Sequence, residues 1–147
     1  MFTKEVSYTD IFTGEPKKKV LYFHLTQKEL MDFATRMQVD NLKEYIDLVQ
    51  QNQDRREMYR MFNALVLASY GERTNTGAFI KKDAEGRPYS IEFESSEAYS
   101  NFMMEIFDDE TGGLVNTFIE KVIPVEVMEK AEAEMARRAK ASPDSSK

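Results

Sequence analysis

The sequence predicts an α+β fold that is mostly helical, with an N-terminal β-hairpin followed by five or six short amphipathic helices. Three observations carry this. Residues 2–23 hold two runs rich in aromatic and β-branched residues around a glycine-containing turn, the pattern of a hairpin. From residue 26 onward, apolar residues recur at spacings of three and four, the period of a helix with one buried face. Capping residues and Gly/Pro turns, not long linkers, separate the helical stretches.

Each element can be justified in order. Residues 2–10 partly alternate, with Phe2, Val6 and Tyr8 on one face and Thr3, Glu5, Ser7 and Thr9 on the other; Lys4 interrupts the apolar face. "FTGEP" supplies the turn. In "KKKVLYFHL", Val20 to Phe23 is apolar on both faces, so the second strand is expected to pack on helices and not to face water on one side. Thr26 with Glu29 forms a capping box, and Leu25 is placed to staple onto Leu30. A helix is therefore expected from Gln27, with Leu30, Phe33, Ala34 and Met37 inward. Asp40 or Asn41 caps a second helix carrying Leu42, Tyr45, Ile46 and Val49. After the polar break "QQNQD", a third runs from about Arg55 with Met58, Met61, Phe62, Leu65 and Ala68 or Ser69 on one stripe. It is expected to end at Gly71, placed where a left-handed C-terminal cap belongs.

"KKDAEGRPY" reads as a turn and "SIEFE" as a short strand or a short helical turn. Ser95 or Ser96 caps "EAYSNFMMEIF", whose apolar face is Ala98 or Tyr99, Phe102, Met103, Ile106 and Phe107. Beyond "DDETGG", a short helix carries Leu114, Val115, Phe118, Ile119 and Val122 until Pro124 ends or kinks it. Residues 1–125 are expected to form a single globular domain. Residues 126–147 read as a charged helical extension, with Glu126/Lys130 and Glu134/Arg138 at i, i+4, and a disordered tail "SPDSSK".

Composition narrows the function. With 147 residues, 41% hydrophobic and 31% charged, the chain suits one soluble domain with a real core. Its longest apolar run, Ala64 to Ala68, is far short of the roughly 20 residues of a membrane helix. The start, "MFTKEVSYTD", lacks a secretory signal, and with no cysteine a reducing cytoplasm fits. A net charge of −6 without a basic face argues against nucleic acid. Lys17–Lys19 and Lys81–Lys82 are short and lie beside turns, where lysines guard sheet edges.

The chemistry-bearing candidates read as structural. Gly71 and Gly77 follow a helix and lack the GK[ST] signature of a phosphate loop, so that loop is punctuation. His24 is the single histidine, too few for a zinc site and without a Ser–His–acid pattern. Asp108, Asp109 and Glu110 lack the alternation of a calcium loop and suit a helix dipole instead. No catalytic, cofactor-binding or metal residue is therefore expected. Nine methionines are many for this length, and Met58, Met61, Met103 and Met104 lie on or beside helical stripes. Methionine fills cores readily, yet it also lines grooves that receive apolar helices. A protein-binding role is favoured over an enzymatic one.

The ordered pieces "YFHLTQKEL", "LVLASYGE", "AFIKK", "FESSEAYSNFMMEIF" and "FIEKVIPVEVMEKAE" resemble the tail assembly chaperones of long-tailed, siphovirus-type phages of Gram-positive bacteria. The likeness runs from about residue 2 to residue 134, and its specificity lies in the order and spacing of the pieces. It implies a non-enzymatic role, without cofactor, in the host cytoplasm. Such a chaperone binds and solubilises the tape measure protein during tail morphogenesis and is absent from the mature virion. The resemblance also implies a frameshifted, extended form that recruits the tail tube protein, and it leaves a homo-oligomer open. On that view Met58, Met61, Phe62, Tyr99 and Met103 are candidate protein-binding residues, chosen by their chemistry. The alternative is a structural virion component, such as a tail completion or head–tail connector protein.

Overall fold

A computed structural model describes residues 1–52 and 54–123, together with positions 126, 129, 133 and 136–138. Strands β1 (Phe2–Thr9) and β2 (Pro16–Phe23) pair antiparallel along their full length, from Phe2 opposite Phe23 to Thr9 opposite Pro16. Asp10 organises the turn between them. Its carboxylate accepts from the Phe12 and Thr13 amides at 2.8 and 3.2 Å and from Lys17 at 2.9 Å, and Gly14 adopts φ +72°. Ile11 and Phe12 project from this turn, Phe12 at 92% exposure.

Two further strands, β3 (Tyr70–Arg73) and β4 (Phe79–Ile80), extend the sheet in the order β1-β2-β3-β4. They correct the expectation of a left-handed cap at Gly71. The preceding helix ends because the Ser69 hydroxyl donates back to the Leu65 and Val66 carbonyls, at 2.7 and 3.2 Å, and Tyr70 turns extended. The His24 amide donates to the Ser69 carbonyl at 2.9 Å, and Gly71 sits opposite Tyr22. Gly71 is not among the glycines with positive φ. A Cβ there would lie 2.5 Å from Phe79 Cζ and 2.7 Å from the Ile80 carbonyl oxygen, so crowding requires glycine. The polar loop does serve as punctuation, as the turn of a small hairpin with Gly77 at φ +88°.

Up to residue 123 the described helices are α1 (Gln27–Arg36), α2 (Leu42–Asn52), α3 (Arg55–Ser69), α4 (Tyr89–Glu94), α5 (Glu97–Asp108) and α6 (Gly113–Val122). The capping box at Thr26 and Glu29 is complete. Asn41 caps α2 by accepting from the Glu44 amide at 2.9 Å. Ser96, not Ser95, caps α5 by accepting from the Tyr99 amide at 3.1 Å. "SIEFE" is helical. The second correction concerns β2: Leu21 and Phe23 are fully buried, but Val20 is 39% exposed, so only one face of the strand is covered. Period-two alternation holds there even though the residues are apolar on both sides.

The core is aromatic where sheet and helices meet. The Phe23 ring lies among Phe2, Tyr70, Phe93, Phe102 and Phe118, contributed by β1, β3, α4, α5 and α6. Lys4, which breaks the alternation of β1, reaches Glu105 of α5 at 3.2 Å, and Asn101 donates to the Ser7 carbonyl at 2.8 Å. These contacts lay α5 along β1. Beyond α6, positions 126, 129, 133 and 136–138 are helical and exposed. Pro124, Lys130, Glu134 and the "SPDSSK" tail lie outside the described residues, and with them the expected stop and the Glu126/Lys130 and Glu134/Arg138 pairs. Among the described residues no helix is long and apolar enough to cross a membrane.

Candidate functional site

A groove of about 1180 Å³ lies between the first turns of α3, the outer face of α5 and the loop into α6. Asp54 starts α3 by accepting from the Arg56 and Glu57 amides at 3.1 and 3.4 Å, which places Met58 and Tyr59 on the first exposed turn. Ser96 starts α5 and so sets the direction in which Tyr99, Met103, Met104 and Phe107 face. Phe107 joins groove to core: its ring packs at 5.5 Å from Tyr59 and at 5.2 Å, edge on, from Phe62. Tyr59 and Met104, both in the lining, remain 50% and 58% exposed, so the groove leaves two large apolar side chains open to solvent.

Polar groups hold the shape. Tyr99 donates its hydroxyl hydrogen bond to Asn63 Oδ1, tying α5 to α3. Burial, aided by Tyr59 and Glu94, pushes the Tyr99 phenol up to about 12, so it stays protonated across the physiological range. At one end, Gln50 Nε2 donates to Asn116 Oδ1 at 2.6 Å and links α2 to α6. The α5–α6 loop is organised by Asp109, which accepts from Thr111 Oγ1 at 2.7 Å and from the Leu114 amide at 2.9 Å. Gly112 takes φ +72° to complete the turn. This is the dipole-facing acid expected of "DDETGG".

The hydrogen bond from Thr111, then that from the Leu114 amide, hold the Asp109 carboxyl below the usual aspartate range. A depressed folded value means the loop contact is fully present above the ordinary aspartate pKa. It is lost as pH falls through the depressed value. Asp109→Ala is therefore expected to speed hydrogen exchange at the Leu114 amide at neutral pH. The native chain should show the same acceleration only in acid. Equal exchange in both at neutral pH would contradict this role.

The groove collects three of the five candidate residues. Met58, Tyr99 and Met103 line it, whereas Met61 and Phe62 turn inward at 1% and 0% exposure. The sequence does not nominate Tyr59, and it puts Phe107 and Met104 on or beside the apolar stripe of α5 without nominating them for contact. Tyr59 and Met104 lie off the buried stripes, so an apolar residue on the polar side of a helix was the available signal. His24 packs edge on against Phe79 at 6.3 Å, and burial lowers its pKa. Lys81 pairs with Glu29 at 2.7 Å, tying β4 to α1. Among the described residues no group of three or more His, Asp or Glu is placed to hold a metal ion.

The groove's charge is one-sided. Glu94, Asp108 and Glu110 stand exposed around it, and Arg55 is the one basic residue in its lining. Among the described residues, none forms an ion pair with these three acids. The arrangement offers an adaptable apolar floor inside a largely negative rim. A family model described as phage tail assembly chaperone matches residues 1–147, the whole length given. No curated protein and no solved structure is similar enough to match.

Proposed function

Because this chain belongs to the phage tail assembly chaperone family, we propose that it binds the tape measure protein and keeps it soluble while the tail is built. The observation that supports this reading is the groove in which Tyr59 and Met104 stay exposed above Met58, Met103 and Phe107. A long helical protein presents apolar stripes that aggregate unless covered, and an amphipathic groove covers such a stripe by taking its apolar face. Methionine lets one groove accept successive stripes of different shape. The chain's own net charge of −6 favours dispersion.

On this reading the unit 1–125 performs the binding in the host cytoplasm, and the chain leaves before the virion is complete. The charged stretch 126–147 would serve apart from that unit, and a frameshifted product continuing from it would recruit the tail tube protein. Co-expression with the tape measure protein of the same phage tests the proposal. A tape measure protein that is soluble and co-purifies only when this chain is present is the expected result. A tape measure protein that stays insoluble beside a folded chain would overturn it, and recovery of this chain from purified virions would favour a structural component.

A further inference from the structure

The groove also has features that define what it can hold. We infer that its occupant is a single amphipathic helix whose apolar stripe is flanked at both ends by lysine or arginine; this rests on the chaperone reading and narrows the partner segment. Three observations carry it. The volume of about 1180 Å³ exceeds the range of roughly 300–1,000 Å³ typical of small-molecule pockets. It suits a row of side chains inserted at i, i+3, i+4 and i+7. The floor is methionine and aromatic, which accepts leucine, isoleucine or methionine without demanding one shape.

The third observation is where the charges sit. Glu94 precedes α5, and Asp108 and Glu110 close its far end, so the free acids bracket the helix at both ends. A helix of 12 residues is about 18 Å long at about 1.5 Å per residue. A parallel or antiparallel partner helix would need basic residues roughly three turns apart to meet both ends. The C-terminal end of α5 adds its own negative partial charge beside Asp108. Asp109 takes no part, because its oxygens already serve the loop. An acidic or uncharged stripe would leave the rim unmatched, or repelled, along the same contact.

Two fluorescent peptides of about 18 residues, long enough to form a helix, provide the test. They share one leucine stripe; one carries lysines three turns apart beside it, the other glutamates at the same places. The lysine peptide should bind about tenfold more tightly, since each exposed ion pair contributes only a few-fold. That preference should shrink as salt is raised. Joint replacement Glu94→Gln, Asp108→Asn and Glu110→Gln should remove the preference with the circular dichroism unchanged, because all three side chains are exposed. Met104→Asp should abolish binding of both peptides.

Equal affinity for the two peptides, or lysine-peptide binding that survives Met104→Asp, would overturn the inference. If neither peptide binds and the tape measure protein still co-purifies, the inference fails while the chaperone reading stands. Self-association that needs both Phe12 and Met104, with no peptide binding, would instead identify the Ile11–Phe12 turn of a second copy as the occupant, and would equally overturn it.

Discussion

Phe23→Ala is expected to be the most damaging single substitution in the chain, with a loss of about 3–5 kcal/mol. Phe23 is fully buried, and its ring centroid lies 4.9 Å from that of Phe102, 5.2 Å from Phe118, 5.7 Å from Tyr70, 6.1 Å from Phe93 and 6.2 Å from Phe2. Those five rings belong to five different elements. Collapse into the vacated space would require several backbones to move together, so most of the cavity would persist. A domain of this size holds only about 5–15 kcal/mol in total. The variant should therefore unfold at a much lower urea concentration, whereas Phe12→Ala on the exposed turn should change stability by less than about 0.5 kcal/mol. A Phe23→Ala loss below about 1 kcal/mol would contradict the central place given to this ring.

Gly71→Val is the second large effect expected, and Gly71→Ala a smaller one of about 1–3 kcal/mol. The new Cβ would meet Phe79 Cζ at 2.5 Å and the Ile80 carbonyl at 2.7 Å. The aromatic ring can swing aside, but the carbonyl belongs to the backbone of β4. The strand would have to leave β3, and with it the anchor from Lys81 to Glu29 just beyond would be strained. Urea unfolding should rank the variants Gly, Ala, Val in falling stability, and the Thr74 amide, bonded to the Ala78 carbonyl at 2.8 Å, should exchange faster in the variants. Asparagine discriminates between explanations. A left-handed cap tolerates asparagine better than alanine, whereas a steric conflict makes asparagine worse. Better stability for Gly71→Asn than for Gly71→Ala would contradict the crowding account.

The parts of the fold that sequence made legible are those fixed within a few residues. Thr26 and Glu29 close their capping box across three positions, and Asn41 and Ser96 cap helices immediately after them. The hairpin of β1 and β2 is likewise a local pairing, and the mostly helical α+β class follows from it and the stripes. Strands β3 and β4 were not legible. "YGER" and "FI" are too short to show alternation; β3 is a strand because β2 offers Tyr22 and Phe23 as partners from across the sequence, and β4 pairs in turn with β3. Gly71 illustrates the same limit, since a glycine required by a distant Phe79 looks like one required by its own φ.

The groove was half legible for a related reason. Helical spacing puts Met58, Met61 and Phe62 on one stripe, but not which part of the stripe meets the core. The aromatic cluster takes Met61 and Phe62, and the first turn of α3 leaves Met58 at the edge. Tyr59 and Met104 come to line one groove only after α3 and α5 pack. Their exposure is a tertiary fact, visible in sequence only as apolar residues on otherwise polar faces.

The most direct test of the groove as the binding face is co-expression of the tape measure protein with chains carrying Tyr59→Asp, Met104→Asp or, as a control on the hairpin turn, Phe12→Ser. All three side chains are at least 50% exposed, so circular dichroism and urea unfolding should match the parent chain. The expected result is that Tyr59→Asp and Met104→Asp lose co-purification and leave the tape measure protein insoluble, while Phe12→Ser retains it. Full co-purification with both groove variants, or its loss in Phe12→Ser alone, would contradict the groove as the face that holds the partner.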